Sequence, residues 1–527
     1  MPYSMLSMSR VRERFVARLC TAIAAASITP VAALAAALPA PPQTFDSSYV
    51  APTGAVVKVA ASDNLQAVFD KAQPGQTIVL PAGATFRGPF KLPNKTVGSG
   101  WIYVVSSHLA NLPPAGTRVG PANAANMPKI LAPNGLNALT TVANSHHFRF
   151  VGIEFAPLSA STLVYSVVAI GNADRSPATL AHHIVFDRCY VHGDANAHNR
   201  RGIEMDGAYV AVVDSYISGF QDGGADSQGL WAYNTTGPLQ IRNNFIEAAT
   251  ENVMFGGADS YAATLVPTSI EIRDNHFFKP LSLITSTYAV KNMLELKAAR
   301  RVLITGNIFE NNPAKSQNGF TVVITPRNQN GAAPWSVTAD IAVLGNRFVN
   351  IGSGFNLLGR DNIHPSALTQ HVLIRNNLME MTSLNGAAGI AFQFLGGGSD
   401  YLIDHNTIIN TAGPAPRELG LADTASTKVA NLVFTNNLST YSSYGFFASG
   451  SGQGTAALTT DFVNWTFSHN VIIGAPAANY PAGNYFPAGV ATVRFMSYAG
   501  GNFALAAGSP YKNAAIDRTD IGANDPP

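Results

Sequence analysis

From Leu239 onward the chain repeats one short pattern, in which a few apolar residues alternate with polar ones, turn at an asparagine and resume. The pattern reads IRNNFI (241–246), IRDNHF (272–277), ITGNIF (304–309), VLGNRF (343–348), IRNNLM (374–379), IDHNTI (403–408), FTNNLS (434–439) and FSHNVI (467–472). Its asparagines, Asn244, Asn275, Asn307, Asn346, Asn377, Asn406, Asn437 and Asn470, are separated by 31, 32, 39, 31, 29, 31 and 33 residues. VFDRCY (185–190) and VVDSYI (212–217) fit the same template with the asparagine replaced. Short alternating runs predict strands, and self-similarity at this period predicts stacked units. Each unit holds two or three β runs and no helix, and the Leu-x-x-Leu-x-Leu frame of leucine-rich repeats is absent. The expected fold is all-β, a single-stranded right-handed parallel β-helix. One asparagine per coil suits it, because asparagine tolerates a sharp turn and its amide can bond its equivalents in neighbouring coils.

The ends read differently. Val56 to Ala60 predicts a strand, Asp63 with Gln66 a helix cap, and Leu65, Val68, Phe69 and Ala72 fall at helical spacing until Pro74-Gly75. One amphipathic helix before a run of β segments is expected to cover the open end of the solenoid. The tail, 503–523, resembles the closing segment of many secreted β-helix proteins and is expected to cap the far end. At the start, Arg10, Arg12, Arg14 and Arg18 precede an apolar run and the small residues Ala33-Leu34-Ala35-Ala36-Ala37, the pattern of a secretory signal peptide. The expected division is a signal peptide over 1–38, a Pro-rich loose join over 39–53 and the β-helix domain over 54–527. The expected location is secreted or periplasmic, with no membrane contact after cleavage.

Composition narrows the partners. Only 12% of the 527 residues are charged, which suits a turn-rich β protein with a neutral polar surface. The formal charge is +2; removing the four arginines and Glu13 of the leader leaves 29 basic and 30 acidic residues, a net of −1. Binding to nucleic acid driven by net charge is therefore unsupported, and a monomer is expected. Without Cys20 in the leader, Cys189 is a lone thiol in an apolar run, read as a buried structural residue.

In Lys291 to Asn312, KNMLELKAARRVLITGNIFENN, alternation puts Leu294 and Leu296 on one face and Met293, Glu295 and Lys297 on the other. Aligning coils on their turns predicts an inward column of Ile203, Leu230, Met254, Leu294, Phe320 and Phe355. The outward columns are then Glu204, Trp231, Phe255, Glu295, Thr321 and Asn356, and Asp206, Tyr233, Gly257, Lys297, Val323 and Leu358. With coils about 4.8 Å apart, Glu204, Asp206, Trp231, Tyr233 and Phe255 form an acidic and aromatic stripe suited to a sugar, since ring faces pack on pyranose rings and charges hold hydroxyls. The alternative is that a loop such as Asp222 to Gly229 covers the aromatics as a satellite core.

The segment from Lys297 to Arg327 resembles the chondroitinase B and alginate lyase family of β-helix polysaccharide lyases, through the lysine, Gly306-Asn307-Ile308-Phe309-Glu310-Asn311, Gly319 and Arg327. The resemblance implies Lys297 as the proton-abstracting base, Arg327 as the acid, and side-chain oxygens holding Ca²⁺ against a uronate carboxylate. Arg300, Arg301 and the ion are expected to lower the basicity of Lys297. The stretch from Asn307 to Arg327 is longer than in the family, and the two glutamates expected before the lysine reduce to Glu295. Glu251 and Asn252, one coil earlier, are then the expected partners of Glu295 on the metal. Three other readings stand beside this one: a solvated Glu295–Lys297 ion pair, a glycoside hydrolase using two of Asp222, Asp226, Glu247 and Glu251, and a non-catalytic carbohydrate-binding or adhesive β-helix. His182, His183, His192 and His198, with Asp187 and Asp194 nearby, are expected to be solenoid-edge residues rather than a metal site.

Overall fold

Apolar alternation on three successive strands per coil leaves each coil with three inward faces, and stacking them buries a continuous core. The computed structural model describes residues 36–171, 174–194, 198–411, 418–423 and 427–524; of the expected signal peptide, 1–35 lies outside the described residues. Three long sheets of 15, 13 and 13 strands run the length of the solenoid, and their neighbours pair in parallel save for one antiparallel pair at the far end. The protein is a single-stranded right-handed parallel β-helix. In the 15-stranded sheet, Val212, Ile241, Ile272, Ile304, Val343, Ile374, Ile403 and Phe434 stand in register and are buried. In one 13-stranded sheet Phe277, Phe309 and Phe348 stack with ring centroids 4.5 and 4.7 Å apart, each pair adding about 0.5–1.5 kcal/mol beyond its burial.

The repeated asparagines form a ladder. Each Nδ2–H donates to the Oδ1 of the next coil's asparagine, from Asn244 to Asn275 (3.0 Å) through Asn437 to Asn470 (3.1 Å). That same Oδ1 also accepts the previous asparagine's backbone N–H, as from Asn307 to Asn346 at 2.9 Å. Asn484 adds one rung beyond the repeats seen in sequence. At the other end Ser215 N donates to Asn244 Oδ1, and Cys189 N to Ser215 Oγ, so the ladder continues through Ser215 to Cys189, one residue beyond the Arg188 that the aligned VFDRCY put in the asparagine's place. Burial pushes the Cys189 thiol up to about 12, as a packed structural cysteine requires. The turn conformation belongs elsewhere than expected. It is the residue before each ladder asparagine, such as Asn243, Asp274, Gly306, Gly345 and Asn376, that takes positive φ; the asparagine itself supplies the buried amide.

Both ends also differ from expectation in detail. The entry helix is Leu65–Lys71 and buries Leu65 and Phe69, but its N-cap is Asn64, accepting from Ala67 N; Asp63 instead accepts from Ala60 N. At the far end the core is covered by the helix Thr455–Asp461, through Ala457 and Leu458, together with Tyr480. The tail turns back along the outside of the last coils, burying Phe503, Leu505, Tyr511 and Ile521 against Leu378, Ile409, Leu438 and Val471. The stretch expected as a loose join is pinned along the 15-stranded sheet. Ala40 N donates to Asp340, Gln240 to Phe45 O, Arg149 to Ser47 O and Ser48 O, and Tyr103 to Val50 O; just before the join, in the last residues of the expected signal peptide, Ala37 N donates to Asp400.

Candidate functional site

The other 13-stranded sheet carries the outward columns, and its geometry departs from simple alternation. At its corner each coil turns two consecutive residues inward: Val167-Val168, Met293-Leu294 and Ala391-Phe392 are pairs packed in the main core. The same rows hold Gly202-Ile203, Gly229-Leu230 and Asn252-Val253. A strand that bends between sheets must skip a residue of alternation, and the outward positions become three apart. They are Arg201 and Glu204, Gln228 and Trp231, Glu251 and Met254, Asn292 and Glu295, Phe320 and Val323.

Several expected positions move as a result. Phe255 lies in the core and Met254 takes its outward place; Val253 and Val322, not Met254 and Phe320, join Ile203, Leu230, Leu294 and Phe355 inside. Met293 faces the core, not the side of Glu295. The stripe is also covered. Trp231 is buried, its Nε1–H donates to Gly256 O, and the Arg201 guanidinium lies 3.8 Å over its ring. Tyr233 stacks on it at 4.8 Å and is half-buried. Glu204 and Asp206 are buried beside them; burial first, then the charge of Glu204, holds the Asp206 carboxyl well above its ordinary range.

The groups that do converge sit two coils on. Lys297 Nζ lies 3.5 Å from Glu295 Oε1, with most of both side chains covered. Gly256 makes room for the lysine stem: at φ +92 its missing Cβ would stand 2.9 Å from Lys297 Cβ. Arg327 follows the next coil's strand, and its N–H donates to Lys297 O at 2.8 Å. Its guanidinium is held by Asp361 Oδ1 at 3.0 Å and by Asn362 Oδ1. Arg300 and Arg301 lie on the adjoining sheet's strand, Ala299–Thr305, and the ionic partner of Lys297 is Glu295.

Beside Lys297 lies a buried polar cluster. Glu251 is fully buried; Gln228 Nε2 donates to its Oε2 at 2.7 Å, and Lys291 Nζ stands 3.8 Å from its Oε1. Lys291 also bonds both oxygens of Asp226 at 2.6 Å, so the loop Asp222 to Gly229 does close over this point. Burial first, then the charges of Glu295 and Asp226, push the Glu251 carboxyl up to about 8. Four buried atoms here lack a hydrogen-bond partner: Glu251 Oε1, Glu295 Oε2, and both Oδ1 and Nδ2 of Asn292. Oxygen donors left unpartnered in a closed site suit a hard cation such as Ca²⁺. Glu251, Asn292 and Glu295 would hold it, in competition with the ammonium groups of Lys291 and Lys297. Asn252, expected as a ligand, turns into the corner, where its Nδ2 donates to Ile246 O and Phe278 O; its Oδ1 is buried without a hydrogen-bond partner.

Of the four carboxylates considered for hydrolysis, only Asp226 and Glu251 meet, through Lys291. Asp222 caps its own loop near His198, and Glu247 lies on a strand of the other 13-stranded sheet. Sequence reasoning missed Asn292 and Lys291, although both sit in the stretch that contains Glu295 and Lys297. It also missed Lys279, whose buried Nζ donates to Ala248 O, Ala249 O and Thr250 O and so fixes the turn into Glu251.

The three-sheet solenoid has the architecture of the polysaccharide-lyase β-helices. Among solved structures the chain is similar to the PL6 family alginate lyase AlyGC, at 14% identity and a TM-score of 0.53, covering 90% of this chain and 57% of AlyGC. A point mutant of AlyGC matches at 15% identity and a TM-score of 0.52, with the same coverage. The pectate lyase Pel9A aligns at 12% identity over 90% of this chain and 97% of its own, with a TM-score of 0.33. The chain thus spans a little over half of AlyGC, and at these identities the likeness is one of fold. No protein-family model matches the chain, and no curated protein matches it.

Proposed function

We propose that the protein is an exported polysaccharide lyase that cleaves a uronate-containing chain by β-elimination. The observation that carries this reading is the placement of Lys297 and Arg327 on adjacent rungs, joined through the Arg327 N–H and Lys297 O, beside the unpartnered Glu251, Asn292 and Glu295. Lys297 Nζ takes the proton from the carbon next to the uronate carboxylate. The electron pair forms the ring double bond, the glycosidic C–O bond breaks, and Arg327 supplies a proton to the departing oxygen. Glu295, at 3.5 Å, orients the Lys297 amine. Asp361 and Asn362 fix the Arg327 guanidinium in one direction. Ca²⁺, when bound by Glu251, Asn292 and Glu295, would neutralise the substrate carboxylate and so acidify the neighbouring C–H. The experiment is to incubate the protein with polyuronates of several kinds and follow the ultraviolet absorbance of the unsaturated product, with and without Ca²⁺. Lys297→Ala is expected to lose at least about 100-fold in rate while still binding the polymer. No absorbance from the intact protein on any uronate polymer would sink the lyase reading.

A second reading draws on Glu251, whose carboxyl, pushed up to about 8, keeps a proton available at neutral pH, as an acid for glycoside hydrolysis needs. Release of reducing sugar without the unsaturated product would favour it. Retained polymer binding with neither product would favour a carbohydrate-binding β-helix.

A further inference from the structure

Two His-His pairs stand in register on the 15-stranded sheet, well apart in sequence from the charged cluster. The strands His146–Val151 and His182–Asp187 pair in parallel with His182 opposite His146. The rings of His146 and His182 stack at 5.0 Å, and those of His147 and His183 at 4.6 Å, each within 4° of parallel. Within each pair the two Nδ1 atoms lie 2.8 Å apart. One nitrogen from each of His147, His182 and His183 lies within 4.8 Å of the others, the one such convergence of metal-ligating side chains among the described residues. His192 and His198 lie elsewhere, on Glu154 and near Asp222.

The hydrogen bonds sort these nitrogens. His146 Nε2 faces Lys95 O at 2.9 Å and must carry a proton, so its Nδ1 bears the lone pair that accepts from His147 Nδ1–H. The Nε2 atoms of His147, His182 and His183 have no protein hydrogen bond among the described residues. With an ion bound, each of these three rings would shift its proton to Nε2 and turn the Nδ1 lone pair to the ion, giving up the Nδ1–H···Nδ1 bonds within the pairs. An aromatic ladder explains one column: His147 and His183 continue from Trp101 to Tyr209, with His183 and Tyr209 stacked at 4.3 Å. It does not explain a second imidazole beside each, aimed nitrogen to nitrogen.

We propose that His147, His182 and His183 form a binding site for one divalent ion of borderline softness, Zn²⁺, Co²⁺, Ni²⁺ or Cu²⁺. Neutral imidazoles are the ligands these ions favour, and no carboxylate joins the group to draw Ca²⁺ or Mg²⁺. His146 is the neighbouring imidazole, its ring already fixed by a backbone carbonyl as ligating histidines commonly are. The ion would clamp two successive coils near the entry end of the solenoid.

The test uses the full chain stripped with a chelator and titrated with Co²⁺ or Zn²⁺ by calorimetry. One ion per chain is expected to bind, and His182→Gln to weaken it at least about tenfold, whereas His108→Gln, at an exposed site, leaves it unchanged. No saturable binding by the stripped protein, or binding unchanged in His182→Gln, would overturn the site. Should His182→Gln not fold, the Cu²⁺ electron paramagnetic resonance spectrum of the unaltered chain decides. Hyperfine splitting from three or more nitrogens supports the site, and an all-oxygen signal refutes it.

Discussion

Asp404 shows how single side chains set the pH range of this fold. Burial raises its pKa, but the hydrogen bond and charge of His405, the charge of Arg375 and the amide of Asn436 outweigh burial and hold it below 3.8. A carboxyl depressed in the folded state stabilises that state above its unfolded value, and the contribution is lost as pH falls through the folded one. Asp404→Asn is therefore expected to cost roughly 1.5–3 kcal/mol at neutral pH. In denaturant titrations the gap to the unaltered protein should close below pH 3.8. Gly256→Ala makes a second expectation at this scale. A methyl group there would stand 2.7 Å from Ala298 N and 2.9 Å from Lys297 Cβ at φ +92, so the backbone that carries the lysine must shift; the variant should lose product formation by at least about tenfold and also melt at a lower temperature. Glu295 and Lys297 were legible in sequence as same-face charges, and they do meet. Their partners were not. Asn292 stood one position outside the alternation, because the corner turns Met293 and Leu294 inward together, and Asp361 and Asn362 reach Arg327 from a loop more than thirty residues on.

At the scale of the element, the coil was the most readable unit. Its asparagine recurs because each one serves both neighbours: Asn307 accepts from Asn275 N and Nδ2 and donates to Asn346 Oδ1. Asn307→Ala would orphan both buried Asn275 donors, at about 1–3 kcal/mol each. Asn484→Ala, at the end of the ladder, strands Asn470 alone and should cost less if its site admits water; chemical unfolding of the two variants compares them. Strand register on the 13-stranded sheet that carries Glu295 and Lys297 was less readable than the ladder, since loops of unequal length precede each strand and no repeated polar residue marks the place. On the 15-stranded sheet two repeated dipeptides did mark one, His146-His147 and His182-His183, a single coil apart. Their meaning needed the parallel register that sets them side by side.

For the molecule as a whole, local coils joined only to their neighbours leave long-range ties few, and the stretch before Thr53 is one of them. It reaches from Asp400 to Tyr103 across the outside of the 15-stranded sheet. Replacing Asp340 and Asp400 by alanine removes its two carboxylate anchors. Limited proteolysis read by mass spectrometry should then show faster cleavage between residues 37 and 45, with global stability changed by less than about 1 kcal/mol. No described helix is long and apolar enough to cross a membrane. The amide ladder gives this otherwise repetitive body a direction. From Asn244 to Asn484 every rung donates toward the far end and accepts from the near one, so the side-chain dipoles align head to tail and polarise one another in a dry interior. The stack is therefore vectorial, as a helix is, and its two ends are electrically unlike: the oxygen-terminated end is closed by the Ser215 N–H, and the amide-terminated end by the carbonyls of Phe467 and Pro481.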